Sequence, residues 1–124
     1  MKEENIDKLV SRYPNLYMHM KYFECANGWY ALIDELSSEL EKLIIDFNKT
    51  PDHEPEFTCC FAVQVKEKFG GLRFYMSCET DKMSDLIRKS EEDSYKICEL
   101  CGDPGKPNNN GWITTLCDKC RNSL

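Results

Sequence analysis

The chain has 124 residues, enough for one domain with a hydrophobic core but few enough that a bound metal would contribute noticeably to stability. Its 16 basic and 22 acidic side chains give a formal net charge of −6, which argues against indiscriminate coating of DNA. No apolar run approaches the roughly 20 residues of a membrane span, and the first residues are charged, so we expect a cytoplasmic chain that is neither membrane-spanning nor secreted.

Two helices are predicted in the first half of the chain. From Lys2 to Tyr13, apolar residues recur every three or four positions, which predicts a short helix. The stretch from Leu16 to Cys25 is dense in aromatic and sulfur side chains and fits no single period. Asn27 is a candidate helix cap, and the apolar residues after it predict the main helix: Trp29, Leu32, Ile33, Leu36, Leu40, Leu43, Ile44 and Phe47.

The opposite side of the main helix is charged, and we expect it to face solvent. It carries Asp34, Glu35, Ser38, Glu39, Glu41 and Lys42. Such a face is explained by solubility, although a partner surface there stays open. The segment from Thr50 to Glu56 combines prolines with polar residues and predicts a loop. The histidines, His19 and His53, lack neighbouring catalytic partners in sequence, so we interpret them as packed or surface residues.

A β-hairpin is predicted over residues 57–78, with Gly70 and Gly71 as its two loop residues. This register places Lys68 opposite Arg73. It also gathers one apolar face with Glu67 as the only charged member: Phe61, Val63, Val65, Phe69, Leu72, Phe74, Met76 and Cys78.

The other face of the hairpin is basic and is the predicted partner-binding surface, formed by Lys66, Lys68, Arg73 and Tyr75. Like charges opposite each other repel, so one interpretation is that nearby carboxylates neutralise them within the fold. The other is recognition of an anion, nucleic acid or acidic protein surface. A helix over residues 80–97, with Met83, Leu86 and Ile87 on one face, follows the hairpin.

Two cysteine pairs near the carboxyl end have the spacing of a metal site. Cys98 and Cys101 are two residues apart, and Cys117 and Cys120 repeat that spacing after fifteen residues. Two such turns supply the four thiolates of a tetrahedral Zn²⁺ site, whereas the alternative is unrelated thiols or two disulfides. Because all four ligands are protein sulfur, we predict structural zinc, which would bring the net charge to about −8. The run from Trp112 to Leu116 is β-prone and predicts a small zinc ribbon.

The four remaining cysteines are Cys25, Cys59, Cys60 and Cys78. They lie in apolar contexts, which favours packing in the core over a second metal site. The zinc spacing, the adjacent Cys59 and Cys60 and the lack of a signal peptide favour a reducing cytoplasm over a secreted disulfide scaffold.

Four motifs occur together in this chain. They are Gly28-Trp29-Tyr30, the string from Lys66 to Tyr75 (KEKFGGLRFY), the knuckle from Cys98 to Gly102 and the final cysteine pair. In this combination the chain resembles a group of small uncharacterised bacterial and phage proteins. The resemblance spans nearly the whole chain and implies no established activity. Since small phage proteins often bind and inhibit a bacterial target, it implies a candidate inhibitor of a host or defence factor.

The sequence thus predicts an α+β fold with helices packed on a β-hairpin. The body (1–97) and the zinc ribbon (98–124) are expected to form one compact unit, joined where Tyr95 and Ile97 pack. The motifs of zinc deaminases, Walker-type phosphate loops and serine hydrolases are missing from the sequence, so we expect no enzyme. The first hypothesis is a non-catalytic protein-binding module. The alternative is a nucleic-acid or nucleotide binder that uses the basic hairpin face, helped by Trp112 and Lys119.

Overall fold

The computed structural model describes residues 1–49 and 60–124, and it shows an α+β fold. Four helices are present in these residues: α1 (Glu3–Arg12), α2 (Tyr30–Asn48), α3 (Asp81–Ser94) and α4 (Asp118–Asn122). A three-stranded sheet contains β1 (Phe23–Glu24), β2 (Ala62–Lys68) and β3 (Gly71–Met76), and β4 (Lys106–Pro107) pairs with β5 (Thr115–Leu116). The predicted loop at Thr50–Glu56, with His53, and Cys59 lie outside the described residues.

The first helix matches its prediction to within one residue at each end, but the role of Asn27 differs. Asn27 does not cap the main helix, because a 3₁₀ turn (Asn27–Trp29) precedes α2. Its Oδ1 atom instead accepts a hydrogen bond of 2.6 Å from the backbone N–H of Lys2, the residue that precedes α1. Asn27 therefore ties the start of α1 to the start of the main helix.

The main helix buries the predicted apolar face, with Ile33, Leu36, Leu40 and Ile44 in the core. One member of the predicted solvent face is misplaced, because the side chain of Glu41 is buried. Its carboxylate accepts hydrogen bonds from the backbone N–H groups of Asn15 (3.2 Å) and Leu16 (2.8 Å) and from the Asn15 side chain (2.9 Å). Glu41 therefore supplies acceptors to backbone donors in the turn after α1.

Replacing Glu41 with glutamine is expected to lower the free energy of unfolding by about 2 kcal/mol, because the new amide turns N–H donors toward N–H donors and leaves them unsatisfied. Urea denaturation measures the change. Glu39→Gln is the matched control on the exposed side of the same helix, where about 0.5 kcal/mol or less is expected. Equal midpoints for the two variants would contradict the role assigned to Glu41.

The sheet has the order β1-β2-β3, with β1 parallel and β3 antiparallel to β2. The predicted hairpin register is wrong by one residue in the turn. Lys68 pairs with Gly71, so the loop residues are Phe69 and Gly70, which have φ angles of 54° and 83°. Two positive φ angles suit a tight two-residue hairpin loop. The prediction from the Gly70-Gly71 pair was wrong because only the first of these glycines lies in the loop.

The shifted register changes which side chains face the core. Val65 and Phe74 pair and are buried, as is Leu72. Phe69 lies in the loop and is exposed, and Val63 is also exposed because the strand register shifts between Ala62 and Gln64 and puts Ala62 in the core. The predicted apolar face is therefore wrong for Phe69 and Val63.

Helix α3 covers the outer edge of β3. The backbone N–H of Leu72 donates to the Ser94 hydroxyl (2.9 Å), and that of Phe74 donates to the Glu91 carboxylate (2.9 Å). Thr80 caps this helix by accepting from the N–H of Met83. An edge strand whose donors are satisfied by side chains offers little to another strand, so this edge is not available for pairing.

The cysteines outside the metal motif follow the packing expectation in part. Cys25 and Cys60 are both buried in the core. Cys78 is partly buried against the core, as expected, and is disulfide-bonded; its sulfur also lies 3.5 Å from that of Cys60. His19 packs edge-on against Phe61 with ring centroids 4.6 Å apart.

None of the helices in the described part of the chain has both the length and the apolar character needed to cross a membrane.

Candidate metal centre and its contacts

The first cysteine pair forms a tight turn directly after the body. The N–H of Gly102 donates to the carbonyl of Cys98 (2.9 Å), and the N–H of Cys98 donates to the carbonyl of Asp103 (2.7 Å). Gly102 has a φ of 85°, which favours glycine at this position. The turn places the sulfurs of Cys98 and Cys101 on the same side of the chain, facing the second pair.

The second pair lies at the start of α4. Cys117 is the N-cap of this helix, and its sulfur accepts from the N–H of Cys120 (3.3 Å). Arg121 on the same helix donates to the carbonyls of Lys106 (2.7 Å) and Thr114 (3.2 Å), which holds the helix against the β4–β5 ribbon. The sequence predicted strand from Trp112 to Leu116, but only Thr115 and Leu116 form β5.

The four sulfurs converge on one point. All of them lie within 4.8 Å of one another, and those of Cys101 and Cys117 are 3.7 Å apart. A tetrahedron with zinc–sulfur bonds of about 2.3 Å has sulfur–sulfur edges of about 3.8 Å. The cluster formed by Cys98, Cys101, Cys117 and Cys120 therefore has the dimensions of a tetrahedral metal site.

The electrostatics of the cluster favour a cation. Burial raises the pKa of Cys98, but hydrogen bonds from the backbone N–H groups of Cys117, Cys101 and Leu100 outweigh it and lower the pKa to about 6. The neighbouring sulfur of Cys117 raises the pKa of Cys120 to about 12. The sulfurs that surround Cys120 therefore oppose its ionisation, and a divalent cation bound among them would remove that opposition.

The first turn of the metal centre is packed against the Gly28-Trp29 motif. The N–H of Gly28 donates to the Glu99 carbonyl (2.7 Å), and the Trp29 indole N–H donates to the carbonyl of Ile97 (3.0 Å). The Glu99 carboxylate accepts from the N–H of Ala26 (3.0 Å). These bonds span about seventy residues of sequence, and they join the ribbon to the body where Ile97 was expected to pack.

The second contact joins the ribbon to the hairpin loop. The hydroxyl of Thr115, which is fully buried, donates to the carbonyl of Gly70 (2.5 Å). A Cβ atom at Gly71 would lie 2.3 Å from the Tyr95 ring, so the second glycine of the pair is required by packing. The Gly70-Gly71 pair therefore serves the fold through one turn residue and one close approach.

The predicted partner-binding residues lie together but are unequally available. Lys66, and not Lys68, is opposite Arg73, and Glu24 of β1 is the neighbour of Lys66 on the other side. Arg73 is half-buried and donates to the Tyr95 hydroxyl (3.1 Å) and the Leu72 carbonyl (2.9 Å). Lys68 and Tyr75 are exposed. Arg73 is thus engaged within the fold by a carbonyl and a hydroxyl, whereas neutralisation of these residues by carboxylates stays a prediction.

A cleft that the sequence did not predict lies between the hairpin loop and the ribbon. We call it the tip cleft; its volume is about 350 Å³, and it is lined by Glu67, Lys68, Phe69, Gly111, Trp112 and Ile113. Phe69 is 66% exposed and Trp112 is 83% exposed. The signal for Phe69 was hidden by the wrong loop assignment, which placed its ring in the core.

No protein-family model, curated protein or solved structure matches this chain. The geometry itself therefore defines what the site can do. Four converging thiols can bind a metal, the metal centre joins the body to the ribbon, and an aromatic cleft opens beside it.

Proposed function

We propose that this chain is a non-catalytic protein-binding module whose fold is closed by a structural zinc ion. Zinc is favoured over other metals because four thiolates in a tetrahedron suit its coordination preference. The four protein sulfurs leave no position for water or substrate, which supports a structural role.

The exposure of two large aromatic side chains on one cleft carries the protein-binding proposal. Phe69 and Trp112 both line the tip cleft, and aromatic residues are enriched at the energetic centres of protein interfaces. The resemblance to small bacterial and phage proteins supports the narrower proposal that the partner is a bacterial host or defence factor. A cytoplasmic location stays a prediction from the sequence.

The nucleic-acid alternative depends on the basic hairpin face, and the fold gives this alternative less support than the protein-binding proposal. Arg73 is engaged by Tyr95 and Leu72, and Lys66 lies beside Glu24. Nucleic-acid affinity depends on many phosphate contacts. This chain has a net charge of −6, and Lys68 is the exposed lysine of its basic hairpin face, so it offers few such contacts.

Affinity capture from bacterial lysate, with and without nuclease treatment, tests the proposal, with the zinc-loaded chain immobilised and retained proteins quantified by mass spectrometry. We expect a retained protein that Trp112→Ala loses about tenfold or more. Tyr22→Ala is the matched control, because Tyr22 is 82% exposed but lies outside the tip cleft. Retention of no protein by the unaltered chain would contradict the proposal, and material lost on nuclease treatment would favour the alternative.

A further inference from the structure

We infer that the tip cleft binds an acidic peptide segment of the partner, with one apolar side chain of that segment inserted between Phe69 and Trp112. This inference rests on the proposed protein-binding function and adds the chemistry of what is bound. It follows from three features of the cleft: an exposed ring in an unfavourable backbone conformation, two walls that are held in place, and an exposed lysine at the rim.

The stability of the fold does not explain why a phenylalanine occupies position 69. A positive φ of 54° is a conformation that side chains other than those of glycine, asparagine and aspartate rarely adopt, and hairpin loops of this kind usually carry one of those three. The ring also stays 66% exposed and gains little from the core, although the Lys68 ammonium lies 5.7 Å from its centroid. Unfavourable backbone conformations that bring no packing gain are concentrated at binding sites, which indicates a contact made outside this chain.

Both walls of the cleft are held by hydrogen bonds before any ligand arrives. Asn108 donates to the carbonyls of Asn110 and Trp112 (2.9 Å each) and accepts from the N–H of Thr114 (2.7 Å), which fixes the loop that carries Trp112. The bond from Thr115 to the Gly70 carbonyl fixes the hairpin loop against the ribbon. A preformed site loses less conformational entropy on binding, so a single apolar side chain contributes more to affinity.

The cleft exposes a cation in a chain that is acidic as a whole. Its charged lining residues are Glu67 and Lys68, whereas the whole chain has a formal net charge of −6. The Glu67 carboxylate accepts from the N–H of Gly70 (2.7 Å), so it is engaged inside the turn, whereas Lys68 is exposed at the rim. An acidic segment is therefore attracted to the cleft and repelled by the rest of the surface, which orients its approach.

A peptide fits these features better than a nucleic-acid strand does. A strand would need a continuous basic track, but the loop from residue 104 to 117 contains a single charge, Lys106. The cleft instead offers apolar walls with an exposed lysine, Lys68, at the rim, which matches an apolar side chain beside a carboxylate.

Selection from a display library of random linear peptides on the zinc-loaded chain tests the inference. We expect enriched peptides to share an apolar residue flanked by aspartate or glutamate. Synthetic versions should shift the indole N–H signal of Trp112, and not that of the buried Trp29, in spectra of the ¹⁵N-labelled chain. Their affinity should fall with rising salt and with Lys68→Glu.

Phe69→Gly separates binding from folding. Glycine removes the ring and suits the positive φ, so this variant should be at least as stable as the unaltered chain while its peptide affinity falls about tenfold or more. Enrichment of basic peptides or of none, affinity unchanged in Phe69→Gly, or displacement of the peptides by oligothymidylate would each overturn the inference. If lysate capture still retains a protein through Trp112 in those cases, the protein-binding proposal stands and only the acidic-peptide inference fails. If neither experiment finds a ligand, both fail.

Discussion

Replacing Cys98 with serine is expected to lower the free energy of unfolding by about 3 to 4 kcal/mol and to abolish stoichiometric zinc binding. Structural zinc contributes about 10 to 16 kcal/mol through four ligands, so one ligand accounts for roughly a quarter of it. The ribbon has little else to hold it, because within residues 98–124 only Cys98, Thr115 and Leu116 are buried. Denaturant unfolding and metal analysis of the purified chain measure the two effects.

Cys25→Ser is the matched control for this substitution. Cys25 is also buried, but it lies outside the metal centre, so this variant should lose some stability from the buried hydroxyl and keep its zinc. Added zinc should raise the unfolding midpoint of the unaltered chain and of Cys25→Ser, but not that of Cys98→Ser, because only the intact centre binds it tightly. A folded Cys98→Ser variant with full zinc content would refute the assignment.

The metal centre was predictable from sequence because its geometry is local. The spacing of Cys98 and Cys101 and the glycine after them define one turn, and the second pair repeats the spacing, so no knowledge of distant contacts was needed. The two long helices were predictable for a similar reason, since their apolar periodicity is set by the face they bury.

The tip cleft was not predictable because it depends on a one-residue choice of hairpin loop. Both Gly70-Gly71 and Phe69-Gly70 join the same strands, and local propensity favours the glycine pair. The packing of Gly71 against Tyr95 and the bond from Thr115 to Gly70 favour the other register, and both contacts come from residues far away in sequence. Glu41 was misplaced for the same reason, since its donors lie in the turn after α1.

The contact between Gly28 and the metal centre predicts a large effect of one methyl group. In Gly28→Ala, the new Cβ atom would lie 2.1 Å from the carbonyl oxygen of Cys98 and 2.4 Å from that of Glu99. Both neighbours are backbone atoms of the first cysteine turn, so the turn must move and the bond from the Gly28 N–H to Glu99 is lost with it. We expect destabilisation of about 3 kcal/mol together with weaker zinc binding, because the displaced carbonyl belongs to Cys98, one of the four proposed ligands.

Gly111→Ala is the matched control, since no described atom lies within 4 Å of the position that its methyl carbon would take and only the φ of 58° disfavours alanine. That conformation costs about 1 kcal/mol. The added methyl carbon would touch no atom of either cysteine pair, so zinc affinity should be unchanged. Denaturant unfolding and competition with a zinc chelator compare the two variants. If Gly28→Ala and Gly111→Ala lose equal stability and bind zinc equally well, Gly28 does not position the metal centre. If only Gly28→Ala releases zinc more readily, Gly28 positions the first cysteine turn. That result would explain why the Gly28-Trp29 motif and the Cys98–Gly102 knuckle occur in one chain.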